Sequence, residues 1–128
     1  MRLLLDTHTF LWWDEDQLPA RVTAAIKAAD EVFVSAVVAW EVAIKGALGK
    51  ITVRGSVAAA IADYGFSPLP VTIEHADAVR LLPPHHHDPF DRLLIAQAQA
   101  DRLTLLSRDP AFKAYRVNLL WPSTKDRG

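Results

Sequence analysis

The chain has 128 residues, 51% of them hydrophobic, which suits one domain with a real core and leaves no room for a second. It contains no cysteine, so disulfides, thiolate zinc sites and cysteine nucleophiles are excluded. With 14 basic against 15 acidic residues the net charge is −1, so any nucleic-acid contact must come from local basic patches or a bound metal.

The opening MRLLLDTHTFLWW carries one basic residue and an apolar run broken by Asp6 after three leucines. That run is too short for a signal peptide, and no stretch approaches membrane-spanning length. We expect a soluble cytoplasmic protein. Leu3 to Leu5 forms a short buried strand, ended by Asp6 and Thr7. Leu18 to Ala29 is expected to be helical, with Val22, Ala25, Ile26 and Ala29 on one stripe. Glu31 to Val34 is a strand, and Ser35 caps a helix that runs to about Leu48, with Val37, Trp40, Ile44 and Ala47 facing inward. Ser56 to Tyr64 is an alanine-rich helix ended by Gly65, and Phe66 to Val71 a proline-interrupted edge strand. Ile73 to Leu82 is helical up to Pro83-Pro84. Pro89 to Asp101 is the best helix of the chain, with Phe90, Leu93, Leu94 and Ala98 as its apolar side. Leu103 to Leu106 is a buried strand, Pro110 to Tyr115 a short helix and Val117 to Leu120 a last strand. Strands alternating with helices predict a three-layer α/β/α fold around a mostly parallel sheet, as a single domain over residues 1–128.

Topology then concentrates four acids. In a parallel sheet every strand ends, and every following helix starts, at one edge, where ligands bind. Asp6 directly follows the first strand, and Asp109 follows the Leu103–Leu106 strand after Ser107 and Arg108. Asp91 lies in the first turn of its helix, and Glu41 about two turns into another that starts at this edge. Each aspartate also has a plain explanation. Asp88 and Asp91 fit an N-cap and a capping-box partner around Pro89, Asp109 precedes Pro110 as a cap, and Asp6 closes a turn. Glu41 resists this, because capping places no acid in mid-helix beside Trp40. Capping and metal binding are in any case compatible.

Clustered carboxylates repel one another, so a fold that gathers them points to a divalent cation. An oxygen-only donor set suits Mg²⁺ or Mn²⁺, and such a site activates water against a phosphodiester without a protein nucleophile. Thr7 and Ser107 are candidates for holding water or a phosphate oxygen there, although short hydroxyl residues at strand ends commonly satisfy turns.

The stretches LLLDTHTFLW, SAVVAWEVAIKGALGK, HDPFDRLLIAQA and LTLLSRDPAFKAY occur in this order. Together they resemble PIN-domain ribonucleases, and more narrowly the VapC-type toxins of bacterial type II toxin–antitoxin systems. The resemblance covers nearly the whole chain. It implies a PIN fold with Asp6, Glu41, Asp91 and Asp109 as catalytic Mg²⁺/Mn²⁺ ligands, RNA cleavage as a homodimer, and inhibition by a cognate antitoxin whose tail enters the acidic site. It also separates Asp91, the acid followed by the helix, from Asp88, which is left as a cap or outer contact.

Other features compete for attention. His85, His86 and His87 form a run in a Pro-rich loop; consecutive residues rarely point to one metal, so a solvated loop beside the acidic edge is expected. His8, two residues from Asp6, fits a substrate contact or helix-start packing. Trp12, Trp13 and Trp40 offer faces to bases, but core or dimer packing explains them more simply. Lys45, Lys50 and Arg54 form one basic group, and Arg92, Arg108, Lys113 and Arg116 another. Arg92 and Arg108, each adjacent to a proposed ligand, are the preferred RNA contacts. Two rivals remain. A phospho-acceptor receiver domain also places acids at strand ends, but needs a lysine after the last strand, where Leu119, Leu120 and Trp121 stand and Lys125 comes too late. A catalytically silent binding module would keep the fold for partner contact alone.

Overall fold

A computed structural model describes residues 1–52 and 55–122. Arg54 and Lys125, invoked above, lie outside the described residues. Five strands form one sheet: β1 (Arg2–Leu5), β2 (Glu31–Ser35), β3 (Ser67–Leu69), β4 (Thr104–Leu106) and β5 (Asn118–Leu120), in the order β3-β2-β1-β4-β5. Every pairing is parallel. A parallel sheet is covered on both faces, which is why its central strands read as unbroken apolar runs. Leu3, Leu4, Leu5, Leu105 and Leu106 are all fully buried.

Among the described residues, six α-helices accompany the strands: α1 (Thr7–Asp14), α2 (Ala20–Ala28), α3 (Ala36–Ala47), α4 (Val57–Tyr64), α5 (Ile73–Ala78) and α6 (Pro89–Asp101). Single 3₁₀ turns follow at Val79–Leu81 and Pro110–Ala114. The expected caps are present. Ser35 accepts from the Val37 amide, Ser56 from the Ala59 amide, and Asp88 caps α6 ahead of Pro89 at its first position. Gly65 closes α4 at φ +70°, in the left-handed region that a glycine enters without steric cost.

Three expectations need correction. Helix α1 was not foreseen: Asp6 does not merely end a strand but caps α1 through the Thr9 amide. The helix at 18–29 begins two residues later, after Pro19. The inward stripe of α3 was also misphased. Val37, Val38, Glu41 and Val42 are buried, whereas Trp40 is 57% exposed, Ile44 37% exposed and Ala47 exposed. The helix is turned by about one residue's rotation, which puts Glu41 rather than Trp40 against the core. Trp40 instead meets Phe90 edge-on at 5.1 Å.

The direction in which strands are added to the sheet reverses about β1. From β1 the chain moves outward to β2 and β3, then returns across the sheet to β4 and β5. The connections leaving β1 and β4 therefore diverge and open a crevice outside their carboxyl ends. Among the described residues, no helix is long and apolar enough to cross a membrane.

Candidate active site

Asp6 stands at the end of β1 on one wall of this crevice. It is 6% exposed, and its Oδ1 accepts from the Thr9 amide at 2.9 Å. Its Oδ2 accepts from the Ser107 hydroxyl at 2.5 Å, from just beyond β4. The same Ser107 oxygen accepts from the Asp109 amide at 3.0 Å. One hydroxyl thus ties Asp6 to Asp109 across the crevice. Asp109 in turn caps the following turn by accepting from the Ala111 amide at 2.9 Å, and its side chain is exposed.

Asp91 approaches from the start of α6. Asp88 takes the capping role there, its Oδ1 accepting from the Phe90 and Asp91 amides at 2.9 and 3.0 Å. That leaves the Asp91 carboxylate free of its own helix, and it meets His86 Nε2 at 2.8 Å. Donor atoms of His86, Asp91 and Asp109 all lie within 4.8 Å of one another.

Glu41, on α3, is tied to Thr7, the residue that follows Asp6. It is 3% exposed, accepts from the Thr7 hydroxyl at 2.6 Å, and forms an ion pair with Lys45 one turn along the helix. Lys45 also lies over the Phe90 ring. Its pKa is raised, chiefly by the bond to Glu41, with Asp88 and Asp91 adding to the effect. Lys45 thus links Glu41 electrostatically to the Asp88–Asp91 side of the edge.

Two of the aspartates, Asp6 and Asp91, are electrostatically strained. Burial pushes the Asp6 carboxyl above its ordinary value, against the hydrogen bonds from Ser107 and Thr9 that favour its charge. Asp91 is pushed up to about 7, first by burial and then by the charge of Asp88, with Asp6 adding to it. Its bond to His86 works in the opposite direction.

The other expected residues fall differently. Thr7 and Ser107 are buried and hold carboxylates. Arg92 spends its guanidinium on the loop before α6: on the carbonyls of Pro83 at 2.8 Å, Val79 at 3.1 Å, Leu82 and His86 at 3.3 Å, and on the Tyr115 hydroxyl. It is a clamp on that loop rather than a free cation. Arg108 is exposed and lies 5.7 Å over Trp12, beside a pocket of about 310 Å³ lined by Asp6, His8, Trp12, Arg108, Asp109 and Pro110. Trp13 packs on Tyr64 and Phe66, away from this pocket. The His85–His87 run was expected to be a solvated loop beside this edge, but His86 is half-buried and meets Asp91. What sets it apart from its two neighbours is its place just ahead of the Asp88 cap, where the chain must fold back over the first turn of α6.

A PIN domain family profile matches residues 3–118. The chain belongs to the PIN domain family. No curated protein is a significant match to the sequence. Among solved structures, this PIN domain is similar to VapBC2 from Rickettsia felis bound to a DNA fragment from their promoter, with a TM-score of 0.71 and 13% identity over 94% of this chain and 98% of that one. It is also similar to a toxin–antitoxin complex from Klebsiella pneumoniae (TM-score 0.67, 18% identity, 94% and 98% covered). A third is FitAcB from Neisseria gonorrhoeae (TM-score 0.65, 20% identity, 92% and 96% covered). At these identities the likeness establishes a shared fold.

The donor chemistry of this PIN domain fits a hard divalent cation. Carboxylate oxygens predominate, and two of the aspartates are held where their charge is disfavoured and, among the described residues, no arginine or lysine pairs with them directly. A bound dication would relieve that strain. The site could then carry phosphodiester chemistry with the pocket beside Arg108 as the approach.

Proposed function

We propose that the whole chain, residues 1–128, is a single PIN-like domain acting as a metal-dependent endoribonuclease, the toxin of a toxin–antitoxin pair. The observation that carries this reading is the meeting of Asp91 with Asp109, and of Asp109 with Asp6 through Ser107, at the switch-point crevice of a PIN fold. In this reading Asp6, Glu41, Asp91 and Asp109 hold Mg²⁺ or Mn²⁺. When bound, such an ion activates water for attack on a phosphodiester and offsets charge on the leaving oxygen.

The protein's own residues prepare the site. Ser107 holds Asp6 in position and fixes its distance from Asp109, and Thr7 orients Glu41. Lys45 pairs with Glu41 and offsets part of its charge, so Asp6, Asp91 and Asp109 supply most of the charge that recruits a cation. Arg108 offers a phosphate contact at the rim, and Trp12 beneath it a face for a base.

The partners follow from the same reading. Similar solved structures are toxin–antitoxin assemblies, which supports a cognate antitoxin whose tail enters the acidic site. Trp40, Ile44 and Leu48 expose apolar surface along α3, which supports a homodimer. The expected compartment is the cytoplasm, where RNA is the substrate.

The test is cleavage of RNA by purified protein in Mg²⁺ or Mn²⁺. Asp6→Asn and Asp91→Asn are each expected to reduce cleavage on the order of a hundredfold or more, with the fold retained by circular dichroism. A chelator should abolish the wild-type activity. Undiminished cleavage by either folded variant would remove the site assignment. In cells, expression should arrest growth, and an adjacent small gene should relieve it. Absence of both effects would favour a silent binding module.

A further inference from the structure

Of the three consecutive histidines, the fold uses one. His85 and His87 are exposed, and His85 lies edge-on to Tyr115 at 5.6 Å. His86 is held at its backbone and at its ring. Its amide donates to the Tyr115 hydroxyl at 2.8 Å, and its carbonyl accepts from Arg92 at 3.3 Å. Its ring stands edge-on to Phe112 at 6.0 Å. Arg92 fixes the same loop through the carbonyls of Val79, Leu82 and Pro83. The His86 ring therefore reaches the acidic edge already ordered, with little side-chain entropy left to lose on binding.

We propose that His86 is a nitrogen donor to the cation of the acidic edge, so that His86, Asp91 and Asp109 form a mixed nitrogen–oxygen corner favouring Mn²⁺, Co²⁺ or Ni²⁺ over Mg²⁺. This rests on the metal-binding part of the function proposed above and adds to it a residue and a preference. His86 Nε2 faces Asp91 Oδ2 at 2.8 Å, and both lie within 4.8 Å of an Asp109 oxygen. Bonds of about 2.1 Å to a shared ion place neighbouring ligand atoms about 3 Å apart, so this spacing suits two adjacent ligands as well as a hydrogen bond. Imidazole nitrogen raises affinity for later first-row ions far more than for Mg²⁺, which prefers oxygen and retained water. The alternative is that His86 only orients Asp91 by hydrogen bonding. In that case every metal would feel its loss alike.

The experiment measures binding of Ni²⁺ and Mg²⁺ by calorimetry to the full chain without a polyhistidine tag, in wild type, His86→Ala and His85→Ala. His86→Ala is expected to weaken Ni²⁺ at least tenfold while changing Mg²⁺ by less than about threefold; His85→Ala should change neither. Equal weakening of both ions by His86→Ala, or unchanged Ni²⁺ affinity, would overturn the proposal. Should His86→Ala fail to fold, ¹⁵N spectra of the wild-type imidazoles decide. Zn²⁺ must shift the His86 Nε2 resonance selectively, and an unshifted resonance rejects ligation. RNA cleavage is scored separately in Mg²⁺. Inactive wild type with intact His86-dependent Ni²⁺ binding would count against the nuclease and leave this inference standing, whereas active wild type without that binding would do the reverse.

Discussion

The two halves of the acidic edge solve the same problem in opposite ways. Glu41 is the more deeply buried acid, yet Lys45 and the Thr7 hydroxyl compensate it directly. Asp91 is less buried, yet its neighbours include Asp88 and Asp6, and its carboxyl is pushed up to about 7. Burial raises the cost of a charge in both places, and only Glu41 has a lysine set directly against it. One half is a finished ion pair. The other gathers Asp91, Asp88 and Asp6 with one imidazole partner, His86.

Breaking the finished half should have the largest effect on stability. Lys45→Ala leaves the Glu41 carboxylate buried with a single hydroxyl partner, and is expected to cost about 2 kcal/mol after allowance for the partial exposure of Lys45. In a chain of this size that lowers the melting temperature by about 8 °C, read by calorimetry. The unfinished half should respond with the opposite sign. Asp91 carries a folded-state pKa of about 7 against an ordinary 3.8, so the folded chain holds more protons between those values. Its contribution to stability therefore falls as pH rises from about 4 to about 7. Asp91→Asn is expected to raise the metal-free melting temperature by about 5 °C at pH 7.5, with the gain vanishing near pH 4. Destabilisation by Asp91→Asn at pH 7.5 would erase the contrast between the halves.

Smaller substitutions sharpen it. Ser107→Ala removes the donor to Asp6 and the acceptor of the Asp109 amide, costing about 1 kcal/mol in denaturant midpoint measurements. Ile44→Ser, on the outer side of α3, should change monomer stability by less than about 0.5 kcal/mol, as an exposed position does.

Much of the fold was legible because its signals are local. Ser35, Ser56, Asp88 with Pro89, and Gly65 mark helix ends by their own chemistry, and short leucine or valine runs mark buried strands. Helix α1 was not legible because Phe10, Leu11, Trp12 and Trp13 surround the helix with apolar side chains, leaving no stripe for periodicity to find. The phase of α3 was misread for a related reason. Trp40 is the larger apolar residue, but the partner that fixes the phase is Thr7, 34 positions away. The acids themselves were placed by topology, since strand ends share one edge whatever the details. His86 was not, because its meaning depends on Tyr115, Phe112 and Arg92 holding its loop over α6. Arg92 looked like a free cation for the same reason: the carbonyls that occupy it belong to a loop without periodicity.

The tie between Asp6 and Ser107 spans 101 positions of sequence, and that between Thr9 and Leu106 spans 97. Such pairings close late, because the chain must lose its loop entropy before the contact rewards it. On the ribosome the constraint is stricter still. At about 5 to 20 residues per second, several seconds or more separate the synthesis of Asp6 from that of Asp109. For that interval the nascent chain holds the first acid without the last. The crevice is closed into one piece only once β4 pairs with β1, so a chain interrupted before residue 104 carries all six α-helices and three of the four acids but lacks Ser107 and Asp109.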